Sequence, residues 1–113
     1  MQYADLHIHS TYSDGLFTPE QIVDLAKEKG IKCISITDHD TIASQYITKE
    51  KIANIEIIPG VEFSTEYDDM EIHVLGYFID INNPILIKNI NSIQEKRRER
   101  AEKILKKLKD INI

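Results

Sequence analysis

The chain has 113 residues, of which 42% are hydrophobic and 29% charged, and its formal net charge is −5 at pH 7. This composition is typical of one folded domain and excludes a disordered chain. The single cysteine, Cys33, excludes an intrachain disulfide and favours a reducing compartment. Because the first residues lack the blocks of a signal peptide and no apolar run reaches the roughly 20 residues of a membrane span, we expect a cytoplasmic protein.

Charge is distributed unevenly along the chain. Eight Lys/Arg and three Asp/Glu residues lie between Gln94 and Lys109, which leaves six basic and 16 acidic residues elsewhere. The acidic part suits a cation-binding protein, whereas a net acidic chain is a poor general candidate for binding a nucleic-acid backbone. We interpret the basic run as a solvated helix face, with one local phosphate contact as the alternative.

The first predicted elements are a strand, a helix and a second strand. Tyr3 to His9 alternates polar and apolar residues, as expected for a strand with one buried face. Thr18-Pro19-Glu20-Gln21 combines a capping Thr with Pro and Gln at the positions typical of a helix start, and Gly30 ends that helix. Ile31 to Thr37 is a short run typical of a strand.

The middle of the chain predicts a weaker helix through Ile52 and two further strands. Ile55 to Ser64 is the third strand, interrupted by Pro59-Gly60, and Glu71 to Phe78 is the fourth. The order β-α-β-α-β-β predicts an α/β fold with parallel strands. The short polar turn at Tyr67 to Asp69 favours a local hairpin before the last strand.

From Pro84 the pattern is helical. Apolar residues recur on one face, namely Ile90, Ile93, Ala101, Ile104, Leu108 and Ile111. Arg97 falls inside this stripe and Arg100 at its edge, so that Arg97 either extends to solvent or points at a specific anion.

The four histidines occur in three local patterns on or just after predicted strands. They are His7-x-His9, Asp38-His39 and Glu71-x-His73. Residues two apart on a strand share a face, so His7 and His9 can ligate one cation. Two packed or solvated histidines are the alternative for an isolated pair of this kind.

Carboxylates accompany these histidines. Asp14 follows the first strand in a polar loop, where Gly15 permits a tight turn, and Glu62 follows the Pro59-Gly60 break. Imidazole and carboxylate ligands without thiolate suit Mn²⁺, Zn²⁺ or Fe²⁺, and a carboxylate such as that of Glu62 can bridge two ions. The sequence therefore predicts a metal cluster.

Asp5, Asp38 and Asp40 lie next to these residues. Each carboxylate could accept a proton from a ligating imidazole and fix its tautomer, and for Asp38 we favour this role at the catalytic site. Turn formation is the alternative for Asp38. For Asp40 we favour helix capping.

Together these residues form motifs in a characteristic order. They are Asp5-Leu6-His7-Ile8-His9-Ser10, Ser13-Asp14-Gly15, Thr18-Pro19-Glu20, Thr37-Asp38-His39-Asp40-Thr41, Pro59-Gly60-Val61-Glu62 and Glu71-Ile72-His73-Val74-Leu75-Gly76-Tyr77. The chain resembles the PHP (polymerase and histidinol phosphatase) superfamily, and within it the stand-alone nucleotide phosphatase and 5'-3' exoribonuclease branch. The resemblance runs from Tyr3 to about Asp80, with a weaker similarity at Arg97-x-x-Arg100-Ala101.

This resemblance implies a distorted seven-stranded β/α barrel, of which the chain would be a truncated N-terminal portion followed by a basic amphipathic helix. Residues 1–83 would belong to the metal-binding domain, and residues 84–113 would begin the family's helical insertion. The implied ligands are His7 and His9 for a first metal, Glu62 and His73 for a second that Glu62 bridges to the first, and Asp14 and His39 for a third.

By the same resemblance, the activity is hydrolysis of phosphomonoesters or nucleotide phosphodiesters by metal-activated water. The cofactors would be up to three divalent ions of Mn, Zn or Fe. The substrate would be a small phosphorylated molecule, such as a nucleotide or a short oligonucleotide, with Arg97 and Arg100 as candidate contacts. No membrane partner is expected.

The sequence departs from the family's pattern after His73, where no further histidine occurs. The family's later ligands therefore have no counterpart, and we expect an incomplete fragment. An incomplete barrel exposes a sheet edge, so we expect either a homo-oligomer or pairing with a missing C-terminal half. Two other functions stay open, namely a non-catalytic metal-binding module and a metal hydrolase of the amidohydrolase type.

Overall fold

The structure is a computed structural model that describes residues 3–48, 52 and 54–113. The chain forms two compact units, Met1–Ile81 and Asn82–Ile113. The first unit contains both sheets and two helices, and the second contains one long helix. The assignment of residues 84–113 to an inserted helical segment stays a prediction.

The elements follow the predicted order, except that the expected third strand is divided in two. In chain order they are β1 (Tyr3–Ile8), α1 (Pro19–Glu28), β2 (Ile31–Ile36), α2 (Ala43–Thr48), β3 (Glu56–Ile57), β4 (Gly60–Tyr67), β5 (Met70–Tyr77) and α3 (Pro84–Asp110). Residues 49–51 of the predicted second helix lie outside the described residues.

The fold is mixed α/β, as predicted. β1, β2 and β3 form a parallel sheet in that order, and β4 pairs with β5 in an antiparallel hairpin. Asp68 and Asp69 both adopt positive φ at the hairpin turn, which suits the right-handed twist of the two strands. The predicted hairpin is therefore confirmed, whereas the complete seven-stranded barrel stays a prediction.

Helix α1 begins with the predicted capping box. The Gln21 amide donates to Thr18 Oγ1 at 3.3 Å, and the Thr18 amide donates to Gln21 Oε1 at 2.9 Å. Pro19 occupies the first turn, where its missing N–H costs nothing. The helix ends at Glu28, two residues before Gly30, as predicted.

A small apolar core holds α1 against the parallel sheet. Its buried members are Ile22, Val23, Ala26, Ile34, Ile36 and Ile55, with Ile8, Ile31, Ile52 and Ile57 packed against them. Strand β1 differs from the prediction, because Leu6 on its apolar side is 37% exposed. Within the described sheet β1 is an edge strand and pairs only with β2, so fewer neighbours cover its apolar side.

The two sheets are joined at the carboxyl end of β2. An isolated parallel bridge pairs His39 with Glu62, in which the Asp40 amide donates to Glu62 O at 2.9 Å and the Glu62 amide to Asp38 O at 3.1 Å. Close approach here requires a glycine, since a Cβ atom on Gly60 would lie 2.4 Å from Ser35 Oγ. This junction fixes the start of β4 beside the loop that follows β2.

Gln45 of α2 forms hydrogen bonds to both strands at this junction. Its side chain is 2% exposed, and Nε2 donates to Ile36 O at 2.7 Å and to Gly60 O at 2.9 Å. One amide group therefore satisfies a carbonyl at the end of β2 and another at the start of β4. No sequence motif pointed to this residue.

Helix α3 has 27 residues, begins with an Asn83 cap and includes Pro84 in its first turn. Asn83 Oδ1 accepts from the Ile85 amide at 2.9 Å and the Leu86 amide at 3.3 Å. The helix predicted from Pro84 is therefore confirmed. Neither α3 nor any other helix in the described part of the chain has the apolar length needed to cross a bilayer.

We predict that Gln45→Ala lowers the free energy of unfolding by about 2 kcal/mol or more, because two buried carbonyls lose their donor. Urea denaturation followed by circular dichroism measures this change. Asn91→Ala removes an amide from an exposed position of α3 and should alter the value by less than about 0.7 kcal/mol. Equal effects of the two substitutions would contradict the bridging role of Gln45.

Candidate metal centre

The centre of the candidate site is the buried carboxylate of Glu62, which is 5% exposed. All four histidines of the chain contact it. Its oxygens lie 2.9 Å from His7 Nε2, 3.6 Å from His9 Nε2, 2.9 Å from His39 Nδ1 and 3.6 Å from His73 Nδ1. A buried carboxylate requires compensating partners, and here imidazoles surround it.

The four histidines reach Glu62 from three strands or their ends. His7 lies on β1 and His9 follows it, whereas His39 follows β2 and pairs with Glu62 through the isolated bridge. In the hairpin, Glu62 lies opposite Leu75, two residues from His73. Because residues two apart share a face, His73 is the diagonal neighbour of Glu62 across the two strands.

Asp14 approaches the histidines from the loop after β1. Asp14 Oδ1 lies 3.4 Å from His9 Nδ1, and Asp14 Oδ2 lies 3.4 Å from His39 Nε2. The Gly15 amide donates to Ser10 O at 2.9 Å, and a Cβ atom on Gly15 would lie 2.0 Å from the carbonyl oxygen of His9. A glycine is therefore required for the loop to return this close to the strand.

These six residues form three overlapping groups of possible ligands. The groups are His7, His9 and Glu62; His9, Asp14 and His39; and His39, Glu62 and His73, with the donor atoms of each group within 4.8 Å of one another. The structure thus brings together all six metal ligands predicted from sequence. It differs from the pairing implied by the family resemblance in that His9 and His39 each belong to two groups.

The donor atoms fit divalent cations in chemistry and in their surroundings. His9 Nδ1 and His39 Nδ1 are buried, yet neither makes a hydrogen bond with the residues that the structure describes. His39 Nδ1 is nevertheless 2.9 Å from a Glu62 oxygen. Nitrogen and oxygen atoms that are close together without a hydrogen bond between them are arranged as ligands of a shared cation would be.

His73 also contacts a second carboxylate at the exposed side of the site. His73 Nε2 lies 3.1 Å from Glu71 Oε1. This hydrogen bond raises the pKa of His73, the charges of Glu71, Glu62 and Asp40 act in the same direction, and desolvation opposes them. Ligation requires the neutral ring, so a proton competes with a cation for His73 as the pH falls.

Asp38 contacts serines and not an imidazole, which corrects its predicted contact. The residue is fully buried, and its carboxylate accepts from the Ser10 amide at 2.6 Å, Ser10 Oγ at 2.7 Å and Ser13 Oγ at 2.8 Å. These bonds fix the loop that carries Asp14. Asp38 therefore positions a candidate ligand through that loop.

The other two aspartates also differ from expectation. Asp5 is exposed and its carboxylate accepts from the His7 amide at 3.3 Å. Asp40 does not cap α2; its Oδ1 accepts from the Ser64 amide at 2.9 Å, and Thr41 Oγ1 accepts from the Ala43 amide at 3.2 Å. Asp40 therefore stabilises the junction between the loop after β2 and strand β4.

The predicted substrate contacts Arg97 and Arg100 lie on α3, in the second unit, and both are exposed. Their contact with substrate stays a prediction. Sequence reasoning assigned no role to Ser10 or Ser13, although both lie in the motifs that flank the site. No local pattern connects these hydroxyls with Asp38, because Ser10 and Asp38 are 28 residues apart in the sequence.

Comparison with known proteins identifies relatives of this arrangement. Residues 5–110 match the PHP domain family. The chain is 40% identical over 113 residues to the 5'-3' exoribonuclease Rnm of Escherichia coli, covering 96% of this chain and 39% of that protein. It is 34% identical over 106 residues to the 3',5'-nucleoside bisphosphate phosphatase of Chromobacterium violaceum, covering 92% of this chain and 37% of that protein.

Solved structures give the same result at the level of the fold. An amidohydrolase from Chromobacterium violaceum, with bound sulfate and no metal, has a TM-score of 0.84 at 33% identity and covers 97% of this chain. A structure from Bifidobacterium adolescentis has a TM-score of 0.79 at 24% identity and covers 96% of this chain, which supports the fold alone. The chain spans 39% of each of these two proteins.

We predict that Asp38→Ala lowers the free energy of unfolding by about 3 kcal/mol, because two buried donors of Ser10 and one partly buried donor of Ser13 lose their acceptor. Asp38→Asn should cost less, since its oxygen can still accept from Ser10 and Ser13. Urea denaturation measures both, with Asp24→Ala on the exposed side of α1 as a control that changes the value by less than about 0.5 kcal/mol. An Asp38→Ala variant as stable as the control would contradict the positioning role.

Proposed function

This chain belongs to the PHP domain family, and on that premise we propose that it carries the N-terminal metal ligands of a metal-dependent phosphoesterase acting on nucleotides or short oligonucleotides. The observation that carries the proposal is the set of three ligand groups around Glu62. Four imidazoles and two carboxylates within one site offer divalent cations several shared ligands.

The proposed substrate class rests on the relatives. Two of them are named as a 5'-3' exoribonuclease and a 3',5'-nucleoside bisphosphate phosphatase. Both names describe hydrolysis of a phosphate ester in a nucleotide or an RNA chain. Because the chain spans 39% and 37% of these two proteins, the substrate and activity of a whole protein are part of the proposal.

In the proposed mechanism, the residues of this chain hold the cations and fix their positions. His7, His9 and Glu62 would hold one ion, and the groups containing Asp14 and His73 would hold others. Bound Mn²⁺, Zn²⁺ or Fe²⁺ would supply polarisation of phosphoryl oxygens and activation of water. Asp38 keeps the Asp14 loop in place through Ser10 and Ser13, so the ligand set is preorganised before substrate arrives.

Arg97 and Arg100 are proposed phosphate contacts, since guanidinium groups bind phosphate oxygens in a bidentate manner.

The proposal also includes the expected fragment status of the chain and its association with a second copy or with a C-terminal half. Light scattering at working concentration tests association, and a monodisperse monomer would contradict it.

An amidohydrolase activity is the second candidate, because one structural relative at 33% identity is described as an amidohydrolase. The two candidates share the ligand chemistry and differ in the bond that is cleaved. Hydrolysis of an amide or a lactone without release of phosphate would support the second candidate.

We predict that the purified chain binds more than one Mn, Fe or Zn per molecule, and that Glu62→Gln weakens binding by about tenfold or more. Replacing even a residue that only forms a hydrogen bond to a metal ligand typically weakens metal binding by this much. Elemental analysis after dialysis measures the metal content, and release of phosphate from a nucleoside 3',5'-bisphosphate measures activity.

Glu66→Gln is the matched control, because Glu66 lies on the same strand, is exposed and belongs to none of the three ligand groups. It should retain the metal content of the unmodified chain. Metal binding that is equal in the two variants would overturn the ligand assignment. Metal bound without any phosphatase activity would support a non-catalytic metal-binding module instead.

A further inference from the structure

Four basic residues share one flank of α3 and have no acidic residue among them. At about 100° per residue, positions four, three and four residues apart fall within a narrow strip along the helix. Lys96, Arg100, Lys103 and Lys107 have this spacing and all are exposed. We call these four residues the basic flank. At about 1.5 Å per residue it is roughly 16 Å long.

The neighbouring face of the same helix has mixed charge. It contains Glu95, Glu99, Glu102 and Asp110 together with Arg98, Lys106 and Lys109. The Arg98 guanidinium forms ion pairs there, with Glu95 Oε1 at 2.6 Å and with Glu102 Oε1 at 4.0 Å. By contrast, no member of the basic flank forms an ion pair with any residue in the described part of the chain. Its four charges are therefore available to an anion from solution.

We propose that the basic flank of α3 binds the phosphate backbone of single-stranded nucleic acid. The inference rests on the proposed function for the class of ligand and adds to it a surface on α3 that binds a strand. One phosphate group can engage only adjacent members of the flank. A strand carries a charge at every nucleotide, so it can engage the whole row and release the counterions bound along it.

A membrane surface fits this helix less well than a polynucleotide. Helices that lie in a membrane interface commonly place Trp, Phe or Leu on their apolar side, and the aromatic side chains anchor them at the headgroup level. Between Pro84 and Asp110 the sequence contains no aromatic residue. The basic residues also form a flank along one side of the apolar stripe, where they present a linear array of charge.

The test measures binding of a fluorescein-labelled twelve-nucleotide oligouridylate to the full chain by fluorescence anisotropy in EDTA. EDTA removes metal-dependent cleavage, so binding is read independently of activity. We expect binding that weakens from about 50 to 200 mM salt. Lys103→Gln with Lys107→Gln should raise the Kd about fivefold or more and reduce the salt slope by about 1.4, as two lost contacts to a single strand predict.

The matched control is Lys106→Gln with Lys109→Gln, which removes the same charge from the mixed side of the same helix. Its Kd should stay within about twofold of the unmodified chain, because Lys106 and Lys109 lie outside the basic flank and exposed charges away from a contact contribute little. Equal losses in the two double variants would overturn the proposal, since they would reflect net charge alone. Binding through the basic flank to phosphatidylserine vesicles but not to RNA would also overturn it, in favour of a membrane.

This outcome is separable from that of the proposed function. If phosphate is released from a nucleoside bisphosphate while the basic-flank double variant binds RNA normally, the strand-binding inference fails alone. If RNA binding depends on the basic flank but the chain binds no metal, the proposed phosphoesterase fails and the inference stands.

Discussion

The buried carboxylate of Glu62 is the constraint on which the rest of the first unit depends. A carboxylate that is 5% exposed must be compensated, because an uncompensated buried charge costs several kcal/mol. Here the compensation comes from imidazoles contributed by β1, by the loop after β2 and by β5. A cation shared by these donors would complete the compensation. The proposed metal chemistry therefore requires the same clustering of donors that the buried carboxylate requires.

Backbone hydrogen bonds hold the two sheets close enough together for these imidazoles to reach Glu62. β2 ends before His39, and the amides of Asp40 and Glu62 then form the bridge that starts β4. Gln45 satisfies the carbonyls left between the sheets, and the glycine at position 60 allows the close approach. Local polar contacts at the strand ends, more than the small apolar core, therefore determine where the ligands lie.

The sequence was sufficient to predict most of the elements and the six candidate ligands that the structure brings together, because both depend on local patterns. His7-x-His9 on an alternating strand and the Thr18 capping box are visible within a few residues. The Ser10 and Asp38 contact is not, since the partners are 28 residues apart and nothing local distinguishes Asp38 from a turn former. For the same reason the sequence indicated an interruption at Pro59-Gly60 but not that β3 and β4 join different sheets.

The distribution of charge along the chain would let it attract an anion in two different ways. The first unit is acidic, so it attracts phosphate only when cations offset carboxylates such as Glu62 and Asp14. The basic flank of α3 carries four positive charges of its own and needs no metal. Attraction to the flank would be weakened by salt, whereas removal of metal would remove the charge compensation at the ligand groups. A net charge of −5 therefore does not argue against a polyanionic substrate, because the average conceals opposite charges on separate elements.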